Sequence, residues 1–281
     1  IVLASGSVEA LYDIGILFKN DSSELLTYVP TFPNFINYCK MIGYKIETVL
    51  LEEKENYKYN TKNLIKKINP SINLIYIDNP NNPTGQTIDK NELIKIISHA
   101  EKLGIGVIID EAYGDYISKE ESCIDLINIY NNLIIIRTFS KGLGMAGIRA
   151  GYIVSSKEIC EYLNKMSHPY NISQISRKLA IKGLQDIEFV NMCKDKIKVN
   201  KQRIQKSLPK NIKMAQTNET TSICLLYSDE DIDLCEKFKK NGIKVYSGES
   251  FENLNKRSVR LNLPNDEKME ILIKSIKNMF T

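Results

Sequence analysis

The chain of 281 residues is 43% hydrophobic and 26% charged, proportions of an ordinary globular protein, long enough to bury a large core and divide into two domains. Its net charge of +4 is spread over Lys/Glu-rich helix faces, which argues against nucleic-acid binding. No apolar run reaches the ~20 residues of a membrane span, and the start Ile1-Val-Leu-Ala lacks the basic region and length of a signal peptide.

Val8, Leu11, Ile14 and Phe18 share one face and predict a helix over 7–18. A strand is expected at 24–29, a helix over 32–43 closed by glycine, and a strand over 44–51. The strand at 73–77 runs into Asp78-Asn-Pro-Asn-Asn-Pro-Thr-Gly, a string rich in turn formers. Asp89-Lys-Asn-Glu92 has a capping-box pattern and opens a helix that closes at Gly104. Strands follow at 105–110 and 133–137. Strands separated by helices imply a mostly parallel sheet with right-handed crossovers. A strand at 149–154 comes too soon for a helical crossover and could run antiparallel. Beyond residue 170 we expect a charged helix over 183–208, a strand at 221–227 and a helix over 231–242. Strands at 243–246 and 258–263 and a helix over 266–280 complete a smaller α+β region. The fold class expected is therefore α/β, with residues 1–170 as a large domain and 171–281 as a small one.

The six cysteines (39, 123, 160, 193, 224 and 235) form no C-x-x-C or Cys/His cluster. Neither a metal site nor a disulfide framework is expected, and the cytoplasm is the expected setting. Gly142-Leu-Gly-Met-Ala-Gly147 spells G-x-G-x-x-G after a strand. A dinucleotide site needs a helix to follow at once, whereas the next residues read as a strand. Those glycines are expected to permit close backbone packing instead.

Chemistry gathers at strand ends. Lys141 follows the apolar run Leu133–Ile136 and lies where open α/β sheets bind ligands. A partly desolvated amine there loses pKa and attacks carbonyls. Asp110 ends another apolar strand, and Tyr113 follows it. Asn82 lies in the turn-rich string, and Arg149 is close beyond Lys141. Pyridoxal phosphate needs this set: a lysine, a carboxylate facing the ring nitrogen, donors at the phenolic oxygen, and cations or amides at the phosphate.

The strings Asn-Pro-Asn-Asn-Pro-Thr-Gly (79–85), Asp-Glu-Ala-Tyr (110–113), Arg-Thr-Phe-Ser-Lys (137–141) and Ala-Gly-Ile-Arg-Ala-Gly-Tyr (146–152) occur in one order. With Val-Pro-Thr-Phe (29–32) and His-Pro-Tyr-Asn-Ile-Ser (168–173), the chain resembles the fold type I pyridoxal-phosphate aminotransferases of class I/II. The histidinol-phosphate aminotransferase group is the nearest likeness. The resemblance implies that Lys141 forms the Schiff base and that Asp110 pairs the ring nitrogen. Asn82 and Tyr113 would hold the phenolic oxygen, and Phe32 would stack on the ring where the family usually has tyrosine. Thr138, Ser140, Arg149 and the backbone of Ser7 and Val8 would hold the phosphate. Val8 replaces a usual acidic residue. Arg260, in Ser258–Leu263, would grip the substrate α-carboxylate. Thr221-Ser-Ile223 departs from the usual Asn-Tyr-Ile near the substrate.

The resemblance implies a transaminase of amino-acid biosynthesis that moves an amino group from an amino acid or amino-alcohol phosphate to a 2-keto acid. The alternative is a decarboxylase of the threonine-phosphate type on the same scaffold; a binding module that kept the fold is the third reading. A homodimer is implied. Family members carry an N-terminal arm and helix ahead of the segment matching Ser5–Leu11, so these 281 residues alone are expected to turn over slowly.

Overall fold

The computed structural model describes residues 1–279; Phe280, expected at the end of the last helix, lies outside them. The larger sheet contains β1 (Val2–Ala4), β2 (Glu24–Val29), β3 (Lys45–Leu50), β4 (Ile72–Asp78), β5 (Gly106–Asp110), β6 (Leu133–Thr138) and β7 (Gly151–Ser155). Its order is β1-β7-β6-β5-β4-β2-β3. Strands β2 to β6 run parallel, and β7 and β1 close one edge antiparallel.

The central strands are almost pure Ile, Leu and Val because helices cover both faces. Even-numbered Leu74, Tyr76, Ile108, Ile134 and Ile136 pack with α1 (Ser7–Leu17), α2 (Pro33–Met41) and α5 (Lys157–Met166). Odd-numbered Ile75, Ile77, Val107, Ile109 and Ile135 pack with α3 (Thr61–Lys67) and α4 (Lys90–Glu101). Each such side chain contributes roughly 1.5–3 kcal/mol on burial. The same alternation puts Asp78 and Asp110 on the α1 face, in register with each other at the strand ends.

The smaller sheet, wholly antiparallel, has the order β10-β11-β9-β8. Its strands are β8 (Ile212–Met214), β9 (Ile223–Ser228), β10 (Tyr246–Ser247) and β11 (Ser258–Asn262). Helices α7 (Ile187–Ser207), α8 (Leu234–Lys240) and α9 (Asp266–Met279) cover it with a core of Ile204, Leu226, Phe238, Val259, Leu272 and Ile276.

Four details differ from the sequence reading. The charged helix expected over 183–208 is α7 and starts later: α6 (Gln174–Leu184), which was not anticipated, ends first, and the Asp186 side chain accepts from the Phe189 N–H and caps α7. The strand at 243–246 shrinks to β10, since Ile243 and Val245 turn into the core and only Tyr246 and Ser247 pair with β11. The capping box at Asp89 is half formed: Asp89 accepts from Asn91, while the Glu92 carboxylate accepts from Thr61 and Lys95. Of the three loop glycines, only Gly142 is tightly packed, where an ideal Cβ would lie 2.3 Å from Asp115 Cβ; Gly147 has open space. β1, α3, α5 and β8 were not anticipated.

Candidate active site

Asp110 closes β5 and is buried. Its Oδ2 accepts from the Tyr76 hydroxyl at 3.0 Å and its Oδ1 from the Ala112 N–H at 2.9 Å. Burial pushes its pKa up to about 7; the charge of Asp78 adds to the rise, and the two donors and Lys141 oppose it. A carboxylate held this way ionises readily only opposite a cation.

Lys141 lies just beyond β6, with Nζ 5.2 Å from the centre of the Tyr113 ring. The side chain stays open to solvent. Protein atoms packed round its head group nevertheless push its pKa below the ordinary lysine value. Arg260 and Arg149 add to this, and Asp110 opposes it.

A second group of residues forms a cradle for an anion. α1 begins at Ser7 without a side-chain cap, and the first N–H groups of a helix are natural anion donors. The Arg149 guanidinium bridges the chain start to the Lys141 loop, donating to Ser5 O at 3.3 Å, Ala146 O at 3.1 Å and Ser140 Oγ at 3.4 Å. Thr138 Oγ1 donates to Ser140 Oγ at 3.0 Å. Gly6, at φ 89°, permits the approach: an ideal Cβ there would lie 2.4 Å from Arg149 Nη2.

The third group comes from the smaller sheet. Arg260 on β11 is buried, and its Nη1 donates to Asn82 Oδ1 at 2.9 Å. Its guanidinium carbon lies 3.9 Å from the centre of the Tyr246 ring, and its Nε has no hydrogen-bond partner among the described residues. Asn82 keeps its Nδ2 for another acceptor. Phe32 caps α2 and is partly buried, with its N–H directed at Asp78 Oδ2 at 3.3 Å.

Each candidate residue therefore belongs to one of three groups lying against the carboxyl ends of β4, β5 and β6. Tyr76, Asp78 and Tyr246 also belong to them, and the sequence reading did not single them out. A polar Tyr76 inside an apolar strand, two residues before Asp78, was the available signal for the first two.

An enzyme working at the carboxyl edge of an open α/β sheet is the class these features define. The chain matches the family described as aminotransferase class I and II over residues 1–276, and it belongs to that family. It is 28% identical over 284 residues to the histidinol-phosphate aminotransferase of Methanocaldococcus jannaschii, spanning 100% of this chain and 75% of the relative. It is 31% identical over 285 residues to that of Thermoanaerobacter pseudethanolicus, spanning 99% of this chain and 77% of the relative. The crystal structure of the histidinol-phosphate aminotransferase from Clostridium acetobutylicum matches with a TM-score of 0.88 at 26% identity, covering 99% of this chain and 82% of that one. The protein is a pyridoxal-phosphate-dependent aminotransferase, acting between an amino donor and a 2-keto acid.

The groups present suit the cofactor. Asp110 offers a buried carboxylate to a protonated ring nitrogen, and Arg149 with the α1 start offers cation and amides to a phosphate. Among the described residues no cluster suited to a metal ion occurs, and no helix is long and apolar enough to cross a membrane.

Proposed function

We propose that the amino donor is histidinol phosphate or a close amino-alcohol phosphate. The observation that carries this reading is Arg260: a buried guanidinium, oriented by Asn82, whose buried Nε has no hydrogen-bond partner among the described residues. Such a fork matches the phosphate of the donor or the carboxylate of a keto acid. The names of the relatives support the choice of donor. Decarboxylation has no observation in its favour.

Pyridoxal phosphate, when bound, supplies the electron sink that lets a bond at the substrate Cα break. Lys141 Nζ would hold the cofactor in the resting enzyme and, once freed by the donor amine, would be the base that takes the substrate Cα proton and the acid that returns it to the cofactor carbon across the nitrogen. Asp110 keeps a proton on the ring nitrogen. Asn82 Nδ2 and the Tyr113 hydroxyl donate to the phenolic oxygen. Ser7 and Val8 N–H, Thr138, Ser140 and Arg149 hold the phosphate, and Phe32 covers one ring face.

Residues 1–170 form the cofactor domain in this reading and 171–281 the small domain, supported by separate sheets; Leu226, Val259 and Leu272 share a core within the small domain, while Ala215, Leu225 and Tyr227 pack into the core of the larger one. We also assign a homodimer. Exposed Ile181 and Leu184 of α6 line an apolar groove of about 460 Å³ together with Leu3, Phe139 and Tyr152, and large apolar patches mark interfaces. A reducing cytoplasm suits the cysteines, all free. The test is an amino-donor screen that measures ketone product and CO₂ together. Acceptor-dependent ketone from histidinol phosphate is expected; acceptor-independent CO₂ would overturn the reading.

A further inference from the structure

Asp78 has no part in the roles above, yet it is buried at the end of β4 beside Asp110 on β5, its register partner. One carboxylate accepts from three donors. Oδ2 takes the Phe32 N–H at 3.3 Å and the Asn82 N–H at 2.8 Å, and Oδ1 takes Asn81 Nδ2 at 2.9 Å. The Tyr59 hydroxyl donates to its carbonyl at 3.0 Å. No cation pairs with it among the described residues.

We propose that Asp78 is a positioning residue of the active site, joining the Phe32 and Asn82 loops through one carboxylate and holding a second buried negative charge beside Asp110. The geometry makes the two duties inseparable. Phe32 caps α2 after β2, and Asn82 follows β4; the two loops are joined at this carboxylate and, beside it, by Asn81 Nδ2 donating to Pro30 O at 3.1 Å. The charge is the costly part. A neutral amide would satisfy a turn at that place, whereas a buried carboxylate is tolerated only with hydrogen bonds. Burial pushes the Asp78 pKa up to about 6 despite its donors, and Asp78 is the neighbouring charge that raises Asp110. The titratable or charged groups facing the pair are Tyr76, Tyr59, Tyr113 and Lys141, with Arg260 beyond Asn82. Two acids against a protonated ring nitrogen hold that proton more firmly than one.

The inference rests on the roles given to Phe32, Asn82 and Asp110, but its test needs no amino donor. The full chain, without cofactor and labelled at aspartate carboxyl carbons, is titrated by NMR as wild type, Asp78→Asn and Asp110→Asn. Pyridoxal phosphate affinity is measured by equilibrium dialysis. In Asp78→Asn the Asp110 carboxyl is expected to titrate lower by about one pH unit, as a coupled pair requires. Cofactor affinity should fall about tenfold, the effect of losing charge-assisted hydrogen bonds. An unmoved Asp110 titration, or an unchanged affinity, overturns the proposal. Should Asp78→Asn fail to fold, Asp78→Ser is titrated instead: the Asp110 carboxyl, the one that ionises against the Asp78 charge, must again titrate lower, and an unmoved one overturns the proposal. A wrong donor would appear only in turnover and leave these results untouched.

Discussion

Lys141 and Asp110 do different work, and single substitutions separate them. Lys141→Ala should leave no protein lysine that borohydride can join to pyridoxal phosphate, read by peptide mass spectrometry; a label on another lysine would refute the assignment. Asp110→Asn should keep some cofactor and lose most turnover, since breaking a buried ion pair costs about 3–5 kcal/mol. Its effect on the cofactor-free protein is opposite. Burial raises Asp78 to about 6 and Asp110 to about 7, so the folded protein holds protons that the unfolded chain releases above roughly pH 4. Stability therefore falls as pH rises from about 4 to about 7. Thermal melts of Asp110→Asn across that window should show a shallower fall than wild type.

At the level of elements, the strands reveal themselves better than the connections. Ile72–Asp78, Gly106–Asp110 and Leu133–Thr138 are legible because a strand buried on both faces must be apolar throughout. Asp110 and Lys141 are legible because polarity resumes abruptly where the strand ends. Cross-sheet links are not: nothing local says that Arg260 meets Asn82, 178 residues away. The start of α7 was set too early because the charged pattern runs back past it, and Asp186, a capping residue, marks the true start. Asp186→Ala should cost about 1 kcal/mol by urea unfolding. Arg260→Lys keeps the charge and loses the fork. We expect KM for the keto acid to rise about tenfold or more while kcat changes less, measured by steady-state kinetics.

Across the whole molecule, the dimer assignment rests on the α6 face, where Ile181→Asp should yield monomers by sedimentation if the exposed aliphatic residues lie in the interface. A different consequence follows from β1. Among the described residues the strand pairs only with β7, and Arg149 reaches Ser5 across 144 residues of chain. Contacts between such distant segments form slowly, because chain closure must precede their reward. The cradle we assign to the phosphate should thus be among the last parts to assemble, after the helices and the parallel strands. Uptake of pyridoxal phosphate becomes a reporter of completed folding. In a refolding experiment the helical circular-dichroism signal should recover first and the cofactor's visible absorbance should lag behind it.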